Sequence, residues 1–297
     1  MRPILTLTVL SLLAGSADAC PWTFRCCRPR PVVVCPQPVE SMPVVEEKKP
    51  EPERKDLAPD GWCHIHGRIV LDGEPIPKQK LIPMSGGAYT ENWVVNATNR
   101  GVKNVVVWLV PELSKEQIEA LEKRRLREVP SFKPEQVYPD LSLKGARSLI
   151  HGEPKRAYVP HVTAAQAGSD LYIQNLSQVA DNPKWSSLEN GEFGTLVAPG
   201  RDREVKGLKV ERFPIVIDSA IYPWMRAYVW VFDHPYFAVT DPDGNFKFRF
   251  APKGNLRLVV WQEDMGFKNG REGRWGEAIQ VPSGWLELGE IKIKERK

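Results

Sequence analysis

The stretch AYVWVFDHPYFAVTDPDGNFKFRFAPKGNLRLVVW, residues 227–261, decides the fold. Its apolar residues fall into four short runs, 227–232, 237–240, 246–250 and 256–261, separated by Asp, Pro, Gly, Asn and Lys. Runs of this length, rich in Val, Phe, Trp and Tyr, read as strands. Asp241-Pro242-Asp243-Gly244-Asn245 reads as a hairpin turn. A calcium loop of the EF-hand kind is excluded, because its twelfth position holds Pro252 instead of Glu and its flanks are strands.

Outward from this stretch the pattern repeats. Further strand candidates lie at 64–71, 104–110, 170–173 and 205–213. One helix is expected over 115–127, with Ser114 as cap, Gln117 three residues on, a thin apolar stripe of Ile118 and Leu121, and Pro130 beyond its end. Many short strands with few helices predict an all-β fold of packed sandwiches. Composition agrees: Pro makes up 27 of 297 residues, about twice the usual share of ~5%, and each interior Pro costs a helix roughly 3 kcal/mol. A helical bundle is therefore excluded. Lys plus Arg number 41 and Asp plus Glu 37, a formal charge of +4, and so weak a field gives no reason to expect nucleic acid.

The first nineteen residues predict a secretory signal: Arg2 supplies the charge, 4–13 the apolar run, and Ala17-Asp18-Ala19 the cleavage site before Cys20. The run is too short to span a bilayer, and no later segment reaches the ~20 apolar residues that a span needs. Cys20 at the new N-terminus is a possible lipidation site. Residues 20–60, with nine Pro and the Glu46-Glu47-Lys48-Lys49 block, read as a disordered tether. Cys20, Cys26, Cys27 and Cys35 lie in it and Cys63 just after it. Export permits disulfides among these five, and the pairing is open. A soft-metal site of Cys26, Cys27 and Cys35 is an alternative.

Two resemblances organise the folded part. Residues 67–77 and 102–109, then 238–248 and 251–258, resemble the opening and closing halves of a carboxypeptidase regulatory-like sandwich of the transthyretin type. The run Ser219-Ala220-Ile221-Tyr222-Pro223-Trp224-Met225, followed by a strand, resembles the ligand loop of an amicyanin- or plastocyanin-type cupredoxin. Ile173-Gln174-Asn175-Leu176-Ser177-Gln178-Val179-Ala180-Asp181-Asn182-Pro183 resembles its earlier ligand segment, with Asp181 lying 38 residues before Ser219. The resemblance implies a cupredoxin-like Greek-key domain over 150–235, inserted in a regulatory-like sandwich formed by 61–149 and 236–297.

It also implies where copper ligands would stand. Asp181 occupies the place of the first His, Ser219 that of the Cys and Tyr222 that of the second His; Met225 alone keeps its type. Type 1 copper needs a thiolate and two imidazoles. A serine hydroxyl stays protonated at neutral pH and a phenol is a poor ligand, so the expectation is a degenerate site holding no metal. Its side chains should form a hydrogen-bonded polar patch, with Tyr222 and Asp181 as partners.

His64 and His66 share one strand face, a weak candidate metal pair without a visible third ligand. His161 and His234 read as structural. Trp275 and Trp285 are candidates for a surface platform that binds sugars or cations, and Glu263 and Asp264 have no partner identifiable from sequence. None of the common nucleophile, zinc-protease, P-loop or dinucleotide motifs is present. The expectation is thus an exported, periplasmic or extracellular, non-catalytic β-protein without cofactor. Its expected role is binding or structure in the cell envelope, with an envelope protein or a glycan as partner. The alternative is a copper-binding or electron-transfer protein using His64, His66 or the tether cysteines. A carbohydrate-active enzyme is a third reading, resting only on the sandwich modules and Trp.

Overall fold

The structure is a computed structural model that describes residues 57–82, 88–123, 130–152 and 157–295. The residues read as a signal, those read as a tether up to residue 56, and Cys20, Cys26, Cys27 and Cys35 lie outside the described residues; the expected tether ends earlier than residue 60, because Ala58 is buried and its N–H donates to the Gly284 carbonyl at 3.2 Å.

The described chain is all-β, built as packed sandwiches. It opens with β1 (Trp62–Leu71), β2 (Leu81–Ile82), β3 (Ala88–Tyr89), β4 (Val106–Pro111) and the helix α1 (Lys115–Glu122). A second series follows: β5 (Arg147–Gly152), β6 (Ala157–Val159), β7 (Val162–Gln166), β8 (Leu171–Asn175), β9 (Pro183–Ser186), β10 (Glu192–Gly194), β11 (Asp202–Val205), β12 (Ile215–Ser219) and β13 (Arg226–Phe232). The chain closes with β14 (Phe237–Val239), β15 (Asn245–Pro252), β16 (Gly254–Gln262), β17 (Gly266–Phe267), β18 (Glu277–Val281) and β19 (Gly284–Ile293).

Pairing joins the two ends of the chain. Strand β1 lies between β15, antiparallel, and β19, parallel. Strand β4 lies between β14 and β16, and β18 extends β16. These two sheets enclose a core that includes Ile65, Ile69, Val107, Leu109, Phe248 and Leu258. The middle series makes its own two sheets, in the orders β10-β9-β12-β13-β7 and β11-β8-β5-β6, around Leu149, Leu171, Ile173, Ile217, Val229 and Val231.

A third apolar layer joins the two pairs of sheets. All six residues of β4 are buried: Val107 and Leu109 face the first core, while Val106, Trp108 and Val110 face Trp230 and Phe232 of β13 and Val162 and Ala164 of β7. An uninterrupted apolar strand is what two covered faces require. Strand β13 is used in the same way, with Val229 and Val231 in the second core and Trp230 and Phe232 in the seam.

Several sequence expectations change. Helix α1 has the expected capping box, Ser114 with Gln117, and packs Leu121 beside Leu113 and Trp275, but its last described helical residue is Glu122, and 124–129 lie outside the described residues. The single strand expected over 205–213 is instead the end of β11 at Val205 and a loop. Gly207, at φ +59°, turns the chain there, and Glu211 anchors the loop instead of pairing in a ladder. The turn at 241–245 is not a hairpin: β14 pairs with β4 and β15 with β1, so the turn carries the chain from one sheet to the other. Asp241 Oδ1 accepts the N–H groups of Asp243 and Asn245. Gly244, at φ +81°, lies so close to β1 that a Cβ there would stand 2.2 Å from the Ile69 carbonyl.

Candidate functional site

Of the four implied ligand positions, Asp181 and Ser219 meet side chain to side chain, and Tyr222 and Met225 come with the loop that follows Ser219. Ser219 ends β12, where it pairs with Pro183 of β9. Asp181 sits in the β8–β9 connection, held by a two-way backbone bridge to Val197. Tyr222 and Met225 belong to the β12–β13 loop, which closes on itself through Met225 N–H to Tyr222 C=O (2.9 Å) and Ser219 N–H to Met225 C=O (3.2 Å).

Asp181 is 1% exposed and its carboxylate is the hub. The Ser219 hydroxyl donates to Oδ1 at 2.5 Å and the Asn182 N–H to the same oxygen at 2.8 Å. The Tyr158 hydroxyl donates to Oδ2 at 2.6 Å. Ser219 Oγ in turn accepts the N–H groups of Ile221 (3.1 Å) and Tyr222 (2.9 Å). A hydroxyl has one hydrogen and two lone pairs, so Ser219 is saturated. Burial, then the bond to Asp181, pushes the Tyr158 phenol above its ordinary range, which keeps it a donor.

The expected pairing of Tyr222 with Asp181 is corrected. Tyr158 of β6 reaches Asp181 instead, and the Tyr222 hydroxyl donates to the Ala180 carbonyl at 3.3 Å. The loop carries Tyr222 along the rim, where its ring stands 5.7 Å from that of His151.

Sequence reading missed His151 and Tyr158, and gave no role to Asn175 and Ser177 within the earlier loop segment. His151 lies on β5, buried, with Nδ1 3.8 Å from Asp181 Oδ2 and 3.5 Å from Ser177 Oγ. Ser177 donates to Asn175 Oδ1 (2.7 Å), and Asn175 Nδ2 donates to the carbonyls of Val179 and Val197. The usable signal was alternation: in Arg147-Ser148-Leu149-Ile150-His151, Leu149 and His151 share the inward face.

The other candidates stand apart from this hub. His64 and His66 do share the outer face of β1. His64 Nδ1 accepts the Phe250 N–H at 3.3 Å, fixing a residue at φ +51°. The His66 ring stacks on Trp285 at 4.0 Å. Cys63 is free and fully buried, and burial pushes its thiol up to about 11. Glu263 does have a partner: its Oε1 lies 2.7 Å from His161 Nε2, while His161 Nδ1 donates to the Arg226 carbonyl. Asp264 Oδ2 accepts from Asn92 Nδ2 at 2.6 Å. His234 is buried and accepts the Tyr236 N–H. Burial pushes its pKa down to about 4, against the pull of Asp233. Trp275, one of the two platform candidates, is 5% exposed, because it closes the small core under α1.

Among the described residues, no three His, Cys, Asp or Glu side chains come together as a metal-binding group. The hub offers one carboxylate, already accepting three hydrogen bonds, and the single imidazole of His151, with no thiolate beside them, and this donor set does not fit a type 1 copper ion.

No family model matches the chain, and no curated protein matches it. Among solved structures, a Cu(I) form of an amicyanin mutant is similar at 11% identity, with a TM-score of 0.27, over 29% of this chain and 82% of that one. A second amicyanin mutant in the Cu(I) form is similar at 12% identity and a TM-score of 0.27, over 32% and 90%. A purple cupredoxin from Nitrosopumilus maritimus is similar at 15% identity and a TM-score of 0.25, over 29% and 98%.

Proposed function

We propose that this chain is an exported, non-catalytic β-protein of the cell envelope that works by binding. In this reading, a cupredoxin-like domain over 150–235, set into a regulatory-like sandwich of 61–149 and 236–297, has exchanged its copper ligands for a polar lock. The single observation that carries the proposal is the saturation of the pair Asp181 and Ser219. The serine proton is committed to the carboxylate, and the serine lone pairs accept two loop N–H groups. A hydroxyl in that state is neither a nucleophile awaiting a base nor a metal ligand. The lock closes the β12–β13 loop where a metal would otherwise close it.

The alternative is a copper protein using residues outside the hub. His64, with Nδ1 already an acceptor for Phe250 N–H, and His66, stacked on Trp285, support it poorly; the tether cysteines are its remaining donors. Copper titration of the full chain separates the readings, when run beside Met225→Leu and beside a variant with Cys20, Cys26, Cys27 and Cys35 replaced by Ser. The proposal expects no thiolate-to-copper charge-transfer band that depends on Met225. Binding lost in Met225→Leu would overturn the lock, and binding lost only in the cysteine variant would establish the alternative. Export is tested separately, by locating the protein in fractionated cells: retention in the cytosol with residues 1–19 uncleaved would contradict it.

A further inference from the structure

A cavity among the described residues lies on the seam between the two sandwiches and shares no residue with the Asp181 hub. Its volume is about 670 Å³, inside the ~300–1,000 Å³ of ligand sites, which favour such junctions. The back wall is rigid and aromatic: the Trp108 ring lies 4.9 Å from Trp230 and 5.3 Å from Phe232. The mouth is the 188–189 turn and the 209–213 loop. Here Leu188, Val210 and Phe213 are 78%, 42% and 49% exposed, a cluster of apolar side chains where loops are normally polar.

The charged groups define the ligand by what they exclude. Among the described lining residues, Lys209, Arg212 and Arg274 are matched by Glu189, Glu211 and Asp233, so these side chains carry no net formal charge to select a phosphate, a nucleic acid or a simple cation. Six charged groups lining one cavity are equally unsuited to a lipid chain. A ligand made of hydroxyls, each with one hydrogen to donate and two lone pairs to offer, can use carboxylates and guanidinium groups together. The carboxylate of Glu211, 7% exposed, is held in the wall by N–H groups of Glu189 and Asn190 at 2.9 and 3.0 Å. Phe213 presents a half-exposed ring with the Arg212 guanidinium 5.5 Å from its centroid. An apolar ring beside paired hydrogen-bonding groups matches the two aspects of a sugar, its C–H face and its hydroxyl edge.

We infer that the seam cleft binds a neutral oligosaccharide, with Phe213 as the stacking platform and Arg212 and Glu189 at the hydroxyl edge. This gives a ligand class to the binding role proposed above; it rests on that role but not on the state of the Asp181 hub. The site also differs from the one expected from sequence: of Trp275 and Trp285, only Trp275 lines the cleft, in its back wall beneath Arg274.

The test is calorimetric titration of the full chain with cellohexaose, the N-acetylglucosamine hexamer and maltohexaose. The expected result is binding of at least one, weakened roughly tenfold in Phe213→Ala. Arg212→Ala should weaken it as well, while Leu196→Ala, an exposed apolar change elsewhere, should not. Melting temperatures of all three variants report whether each is folded, and Arg212→Ala carries the test if Phe213→Ala is not. No heat from any of the three sugars at millimolar concentration would overturn the inference, as would binding unchanged in both cleft variants. Because copper is absent throughout, failure here leaves the reading of the hub standing, and a copper-binding hub leaves this result standing.

Discussion

The Asp181 hub and the seam cleft are both built around a buried carboxylate, and they have opposite consequences. At the hub, Asp181 receives hydroxyls from Tyr158 and Ser219 and the N–H of Asn182, and the surrounding loops seal it. At the cleft, Glu211 ties down one turn through Glu189 and Asn190 and remains part of an open wall. Burying a charge is costly unless hydrogen bonds compensate; a site that compensates fully becomes structure, and one that leaves groups at a mouth can take a ligand.

The comparison can be broken first by removing the two carboxylates. Asp181→Ala leaves two hydroxyls and a backbone N–H without their acceptor and should cost about 3–5 kcal/mol in denaturant unfolding. Glu211→Ala, whose turn is reachable by water, should cost about 1–3 kcal/mol. Equal losses would mean that the cleft is as closed as the hub.

The cleft should respond to acid through His234. Its folded pKa, about 4, lies below the ordinary 6.5, so the fold favours the neutral ring. That contribution is complete above pH 6.5 and is lost as pH falls through the window down to about 4. An acid titration of stability should show this slope, and His234→Gln should remove it. The hub responds to base instead: Tyr158, raised above its ordinary range, contributes fully below about pH 10 and loses that contribution as pH rises further. Tyr158→Phe should cost about 1–2 kcal/mol and reduce that alkaline sensitivity, the raised phenols of Tyr228 and Tyr236 supplying the remainder. The smallest effect belongs to Phe213→Ala, expected to change stability by no more than ~0.5 kcal/mol; a larger loss would make Phe213 a packing residue.

Legibility in the sequence followed the range of the interactions. The runs at 227–232, 246–250 and 256–261 are strands because alternation and turn residues are local signals, and the two loops that bring Asp181 to Ser219 were singled out by the resemblance of their residues to a known ligand-loop pair. Partner choice was not local. Tyr158 reaches Asp181 from a strand that precedes it by 23 residues, so the phenol nearer to Ser219 in sequence was the wrong one to pair. The long strand β19 was missed because Gly289, at φ +66°, interrupts it and Glu287, Glu290 and Lys292 dilute its apolar pattern. Its place beside β1 is set by 222-residue pairings such as Arg68 with Glu290. The cleft was illegible for the same reason, since its walls come from both sandwiches.

The most direct test of the central claim, that Asp181 and Ser219 form a structural lock, is a double-mutant cycle of Asp181→Ala and Ser219→Ala followed by equilibrium unfolding. The lock predicts a coupling of about 2 kcal/mol. Losses that add to within ~0.5 kcal/mol would contradict it.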